Sequence, residues 1–595
     1  MTADSNDAQL FYQKGLKELL QENWSSALNF FQKAKEKNPQ DADAWFRLGC
    51  CYGKLGRYQD AIESCKQAIK IKPDYADAHN NLGNAYGNLG CPKDAIESFK
   101  QAIKIKPDDA SAHSNLGVAY FRLGRYQEAI ESYNQAIKIK PDDADAHNNL
   151  GVTYGKLGRY KDEIESCKQA IRIEPDYAEA HYNLGVAYAK LDRYQDAIES
   201  YKQAIRIKLD LAEAHRNLGV IYGKLGRYQE AIESYRQAIK INPDDAEAHY
   251  NLGSAYHKLG CYQEAIESYK QTIRIKPDDA KAHDNLGNAY GELGRYQDAI
   301  ESYKQTIRIK PDDAKAHDNL GNAYGELGCW QDAIESFKQA IRIKPDYAAA
   351  HNNLGVACRE LGRYQDAIGS FKQAIRIRPD YAEAHCNLGV TYGKLGRHHD
   401  AIESYRQAIR INPDDAEAHN NLGSAYGKLG RYQDAIESYR QAIGIDPDDA
   451  YAHYNLGDAY GKLGRYQDEI ESYKQVIRIE PDYAEAYYNL GVAYAKLDRY
   501  QDAIESYRQA IRIKPDYADA HYFLGLAYGE LGRYQEAIES YRQTIRIKPD
   551  YVKAHFNLGL VYLLVGDKGL ALEEYKILKT LDAEQAGELF NLIYK

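Results

Sequence analysis

Histidine is the side chain best suited to move a proton or hold a metal near neutral pH, and this chain sets one down at a constant interval. The series starts at His79, His113, His147, His181 and His215, and runs on through His249, His283, His317, His351, His385, His419 and His453. Tyr487 interrupts it, and His521 and His555 resume it. A metal site needs further ligands about one helical turn away, and no second histidine or cysteine recurs at that spacing. The histidines therefore read as core residues, one per structural unit, and no metal or other cofactor is expected. The adjacent pair His398 and His399 reads as a surface variant. Paired aspartates such as Asp142 and Asp143 lack the loop spacing of a calcium site and read as helix caps instead. The stretch from Gly151 to Lys156 resembles a phosphate loop, but Leu157 stands where serine or threonine is required. Serines such as Ser200 lie in mid-helix with no repeated base beside them. No nucleophile–base pair emerges, and no enzymatic activity is expected.

The interval from His79 to His113 governs the rest of the chain. Prolines recur at Pro39, Pro73, Pro107, Pro141 and Pro175, then from Pro243 through Pro549. Frames of that same length fit end to end from Ala8 to Gln585. The domain plan is thus a tail at 1–7, seventeen tandem units at 8–585 with 8–41 and 552–585 as the end units, and 586–595 completing a capping helix. Residues 163–208 return at 469–514 with four differences, a sign of block duplication. Sameness between units is therefore weak evidence of function. A chain built of one short unit predicts a solenoid, whose units each bury their apolar faces against their neighbours.

One unit, 178–211, shows how. Ala180, His181, Leu184, Gly185 and Tyr188 share one face of a first helix, and Ala197, Ile198, Tyr201, Ala204 and Ile205 share one face of a second. In most units Leu-Gly ends the first helix, as at Leu157 and Gly158, because glycine accepts the left-handed conformation of a helix stop. Pro-Asp ends the second helix, and the aspartate is expected to cap the next unit. Lys14 and Glu18 replace apolar residues in the first unit, so that its outer side can face water. Beyond Asp582, Leu589, Leu592 and Ile593 form the apolar stripe of the capping helix, with Glu584 and Glu588 on its polar side. These caps are expected of a complete array.

A large residue, Leu-Gly, Tyr, Ala, an aromatic, Ala and Pro at fixed offsets within each unit resemble the tetratricopeptide repeat, and the resemblance spans nearly the whole chain. The tryptophan usual at the fourth place survives only as Trp45 and is otherwise mostly histidine. The resemblance implies an all-α class, an α-solenoid wound as a right-handed superhelix, with first helices lining a concave groove.

At the sixth place of thirteen successive units stands asparagine: Asn81, Asn115, Asn149, Asn183, Asn217, Asn251, Asn285, Asn319, Asn353, Asn387, Asn421, Asn455 and Asn489. Phe523 breaks the row and Asn557 resumes it. An amide offers a donor and an acceptor, matching the two hydrogen-bonding groups of a peptide unit. This row resembles the asparagine ladder of the O-linked N-acetylglucosamine transferases, whose catalytic domain is missing here. The other reading is that each asparagine bridges adjacent units. Side chains two, five, nine, twelve and thirteen places into each unit are expected to face the groove. Their charges invert between 280 and 360, where Lys281, Asp284 and Glu292 are followed by Lys315, Asp318, Glu326 and Glu360. Tyr451, Tyr454, Tyr488, Tyr522 and Phe523 form an aromatic wall expected to anchor a partner, with Phe556 beyond it. The basic clamp by which some family members hold the acidic C-terminus of chaperones has no matching set of residues, since Arg216 is followed by Val220.

Composition sets the bounds. The formal charge is −10, from 77 basic and 87 acidic residues, so no global attraction to nucleic acid or anionic lipid is expected. No apolar run approaches a membrane span, and the N-terminus shows no secretory signal. Nine cysteines fall sporadically, which fits a reducing, cytoplasmic setting. The expected function is a non-enzymatic scaffold that binds an extended peptide or a partner protein along the groove. The alternative is a structural organiser that assembles through repeated or end-to-end contacts, including self-association.

Overall fold

The computed structural model describes residues 2–595, with side chains from Asn6 onward. They form 35 α-helices and, among the described residues, no strand. They group into two compact bodies, 2–295 and 296–595. No described helix is long and apolar enough to cross a membrane.

Apart from the ends, first helices of 13 residues alternate with second helices of 14; Ala144–Lys156, Tyr160–Ile173 and Ala178–Lys190 illustrate the alternation. Gly158, at φ +72°, turns the chain between the first two, as the Leu-Gly signal implies. Glu22, Asp192 and Asp498 take the same left-handed conformation in the three units that lack the glycine. Past the turn, the Arg159 guanidinium lies 4.4 Å from the Tyr154 ring centre and 2.7 Å from Asp162. Both partners of that ion pair are about half exposed, so it stabilises by at most about 1 kcal/mol.

The core is an alternation of small and large. Ala180, Ala197 and Ala204 are fully buried, and Tyr201 is 2 % exposed. A methyl group added at Gly185 would stand 2.7 Å from the Tyr201 ring. The two helices of a hairpin therefore close only because glycine faces the aromatic residue sixteen places on.

Two designs of turn join most successive units. After Pro-Asp-Asp, the second aspartate caps the next helix: Asp143 accepts the Ala146 N–H at 3.1 Å. After Pro-Asp-Tyr no side chain caps the helix. There the tyrosine reaches back one unit, and the Tyr177 hydroxyl donates to Asp145 at 2.5 Å. The expectation that the aspartate after proline is the cap is thus corrected by one place, and it fails where tyrosine follows.

The fourth-place histidines also differ from expectation. Only His453 and His555 are buried, and the others are half-buried. Their rings hold the turn: His147 Nε2 lies 3.0 Å from the Pro141 carbonyl, and His181 and His249 repeat the contact to Pro175 and Pro243. Trp45 makes the same bond, its indole N–H donating to the Pro39 carbonyl at 3.0 Å. Tryptophan and histidine share a ring N–H at that reach, which is why one replaces the other.

At the N-terminal end the first helix runs Thr2–Leu20, so residues 2–7 extend that helix and are not a separate tail. Lys14 is exposed as expected, and Glu18 accepts the Asn23 amide at 2.9 Å. At the other end Asp582 caps Ala583–Tyr594 through the N–H groups of Glu584 and Gln585. Leu589 and Ile593 are buried, whereas Leu592 is 44 % exposed and leaves the predicted stripe. Leu589 packs 2.6 Å from where a methyl on Gly559 would stand, taking the place of the usual aromatic ring.

Two carboxylates interrupt the alanine contacts. Glu163 and Glu469 are 5 % and 8 % exposed, beside Gly155 and Gly461. Burial pushes both up to about 7, against the pull of Lys156 on Glu163 and of Lys496 on Glu469; Asp458 adds to the rise at Glu469. In the unfolded chain a glutamate titrates near about 4.3. Between these values the folded state binds more protons, so stability falls as pH rises from about 4.3 to about 7 and is lowest above that.

Two tests follow from these contacts. Glu163→Ala is expected to stabilise its unit by about 2 kcal/mol at pH 8, after solvent screening, and by much less at pH 5. Amide protection factors over 144–177, and over 450–483 for Glu469→Ala, measure this; equal gains at the two pH values would refute it. His147→Phe is expected to lose about 1 kcal/mol, whereas His147→Trp retains the bond to Pro141, as chemical denaturation of the two variants will show.

Candidate functional site

The candidate recognition face consists of the first-helix side chains that the core does not consume. Every asparagine of the ladder is half-buried on that face. The structure ties most of them to the preceding unit. Asn115 Nδ2 donates to Asn80 Oδ1 at 3.2 Å, Asn183 to Asn148 at 3.0 Å and Asn455 to Asn420 at 3.1 Å. Elsewhere the acceptor is a phenol oxygen: Asn217 bonds Tyr182, Asn285 bonds Tyr250 and Asn489 bonds Tyr454, at 2.8–3.1 Å. Asn353 donates to the Asp318 carboxylate and Asn387 to Asn352. Asn81 meets the Cys50 sulfur at 2.8 Å, and Asn421 faces the Cys386 thiol. Asn149, Asn251 and Asn319 occupy the same half-buried place.

The partner generally sits at the fifth place of the preceding unit, as Asn148 does for Asn183. One amide N–H of each such asparagine is thus spent on the neighbour, as the bridging alternative requires. Each has a second N–H and an oxygen besides, and the Asn353 oxygen is reached by Asn352 Nδ2 at 3.5 Å. At Asn387 the oxygen is taken as well, by Arg359 Nη1 at 2.9 Å.

The aromatic wall is less exposed than its sequence positions suggest. Tyr451 alone is open, at 61 % exposure. Tyr522 is 7 % exposed and its hydroxyl accepts from Asn557, so it belongs to the core and not to a free anchor surface. Tyr454, Tyr488 and Phe523 are half-buried and locked ring to ring: Tyr454 stacks on Tyr483 at 5.5 Å, and Tyr488 packs on Tyr517 at 5.1 Å and on the edge of Phe523 at 5.7 Å. Phe523 stands where an asparagine would serve the preceding unit. The Tyr507 hydroxyl beneath it is buried without a hydrogen-bond partner.

The groove charges are also partly consumed. Asp318 is 5 % exposed and takes both the Asn353 amide and the Tyr347 hydroxyl, and burial holds its pKa above the ordinary aspartate value. It is a junction residue and not a free groove charge. Lys281, Glu292, Lys315, Glu326 and Glu360 remain exposed. Arg216 pairs with Asp245 at 3.1 Å and Glu247 at 3.2 Å across one junction. The recurrent serines are accounted for too, since Ser166 Oγ donates to the Asp162 carbonyl at 2.9 Å and its counterparts do likewise. Sequence reading missed the partners of the asparagines, and the signal that would have found them is the pairing of fifth with sixth places across units.

Replacing Asn183, Asn217 and Asn285 together by alanine is expected to lower the unfolding free energy of the array. Each lost bond costs about 0.5–1.5 kcal/mol, offset in part by the better helix propensity of alanine. An unchanged urea transition in the triple variant would show that the bridges contribute nothing.

Tetratricopeptide repeat family models match in successive windows from 42–75 through 246–279, and again at 454–518 and 528–566. A model described as the Cilia and flagella-associated protein 70 C-terminal domain matches 272–462. Among curated protein sequences none matches. Similar solved structures include MamA, 31 % identical over 28 % of this chain and 97 % of that one, with a TM-score of 0.27. YrrB, a TPR protein with an unusual peptide-binding site, is 23 % identical over 31 % of this chain and 96 % of its own, with a TM-score of 0.29. The APC/C hetero-tetramer Cut9-Hcn1 aligns over 82 % of this chain and 96 % of that one, at 16 % identity and a TM-score of 0.32. Helical hairpins repeated at one fixed interval, the glycine–aromatic contact within them and the repeat-model matches agree: the chain belongs to the tetratricopeptide repeat family.

Proposed function

We propose that this chain is a non-enzymatic scaffold whose first helices hold an extended peptide or a segment of a partner protein. Tetratricopeptide repeats serve protein interaction in general, and the finer reading rests on one observation. The core positions are nearly constant from unit to unit, while the second, fifth and ninth places change charge and size along the array. Lys281 and Lys315 stand where Glu179 and Glu213 stand in other units, and Tyr451 takes that place further on; all five are exposed. A surface varied on a constant frame supports recognition of an extended partner one unit at a time. The half-spent asparagines keep an N–H and an oxygen, groups that a peptide backbone can use whatever its side chains.

The test is affinity purification from the native cell with the full chain as bait, followed by hydrogen exchange on the reconstituted complex. Added protection is expected on first helices such as Ala450–Lys462 and Ala484–Lys496. Protection confined to second helices would sink the proposal. For a partner that covers those units, Tyr451→Ala is expected to weaken binding about tenfold, or about 1.4 kcal/mol, with the melting temperature unchanged because the ring is exposed.

A further inference from the structure

Two adjoining cavities in the N-terminal body are lined without a single carboxylate. The first, of about 470 Å³, lies against the first three units and carries Arg47 and Lys54 with Asn81, Asn84 and Asn88, walled by Trp24. The second, of about 160 Å³, shares Asn84 and Asn88 and adds Asn115 and Arg122. In a chain with 87 acidic residues and a charge of −10, two linings whose charged residues are all cations stand apart. Arg47 sits at the sixth place, where later units carry asparagine, and its Nε is buried with no hydrogen-bond partner. Lys54 is exposed, with its ammonium 5.7 Å from the Trp24 ring centre. Arg122 is held in place by a 2.7 Å bond from Nη1 to the Gly87 carbonyl. Asn81 does not serve the ladder's usual acceptor but the Cys50 thiol, which burial pushes up to about 11 and so keeps neutral. No anion of the chain's own enters either lining.

We infer that these two cavities together bind an extended peptide segment bearing internal anionic side chains, carboxylate or phosphate, with a bulky apolar residue beside the first anion against Trp24. Guanidinium groups favour planar oxyanions. Two of them in successive cavities match two anions along one strand, not a single terminal carboxylate. Asn84 and Asn88, shared by both cavities, can hold the backbone between them. The inference rests on the groove reading given above and names the partner chemistry for its N-terminal units.

The test uses the full chain and short fluorescent peptides, acetylated and amidated so that no free terminus contributes. One alternates glutamate with leucine, a second replaces glutamate by phosphoserine, and a third replaces it by glutamine. The glutamate or phosphoserine peptide is expected to bind at least about tenfold more tightly than the glutamine peptide. Lys54→Gln, an exposed change that leaves the fold intact, and Arg122→Gln are each expected to weaken that binding several-fold, while Lys568→Gln, exposed on a second helix of the C-terminal body, leaves it unchanged. Tighter binding of only one anionic peptide identifies the anion as carboxylate or phosphate. Equal binding of all three peptides, a requirement for a free C-terminus, or insensitivity to Lys54→Gln and Arg122→Gln would overturn this assignment while leaving the groove reading standing. Absence of binding by every peptide would overturn the assignment, and exchange protection by a native partner would then decide the groove reading separately.

Discussion

The array depends on one contact made in most of its hairpins, a glycine of the first helix against the aromatic ring of the second. At Gly185 and Tyr201, and at Gly491 and Tyr507, the ring atoms lie closer to the glycine than any methyl group would permit. The ring is then among the largest fully buried side chains of its unit, and truncating such a ring in a packed core costs about 3–5 kcal/mol. The substitutions found at this place preserve the contact. Cys65 and Cys167 put a sulfur against Gly49 and Gly151 where other units put a ring. Leu589 of the capping helix fills the same socket at Gly559, so the end of the array is closed by the packing rule that builds its interior.

Coupling between units is of a different kind and tolerates more. The ladder asparagine donates to whatever acceptor the fifth place of the preceding unit provides: an amide oxygen at Asn148, a phenol oxygen at Tyr250, a carboxylate at Asp318. Because one donor fits several acceptors, the fifth place can change without loosening the junction. The junction at Phe523 shows what happens without that donor: ring packing replaces the bond, and the Tyr507 hydroxyl is left buried and unpaired, a cost of about 1–3 kcal/mol.

The fold was legible in the sequence because its signals are local and repeated. Gly158 at a helix stop, Ala204 at a helix contact and Asp143 at a cap each follow from residue type and position alone. The candidate site was legible only in part, since its fate depends on pairs that lie a whole unit apart in the chain. Tyr522 looked like a groove aromatic until the amide of Asn557 met its hydroxyl. Asp318 looked like a groove charge until Tyr347 and Asn353 enclosed it. The histidines show the same limit, because an apolar stripe predicts burial but not the carbonyl of Pro141, which keeps the His147 ring at the surface.

These pairings also decide how a groove of this type should be read. Counting charged and aromatic residues by their place in the unit overstates what a partner can use, because neighbouring units consume many of them first. Arg216 is taken by Asp245 and Glu247, and Arg359 by Asn387 and Glu360. Under the proposed function, what remains for recognition is the set of side chains whose polar atoms have no internal partner, or whose partner fixes them without neutralising them. Tyr451 belongs to the first kind, and Arg122, bound to a carbonyl and not to a carboxylate, belongs to the second. A guanidinium so held keeps its full charge and has already lost the rotamer freedom that binding would otherwise cost it, so under the proposed scaffold function the charges that the junctions leave unneutralised would set specificity.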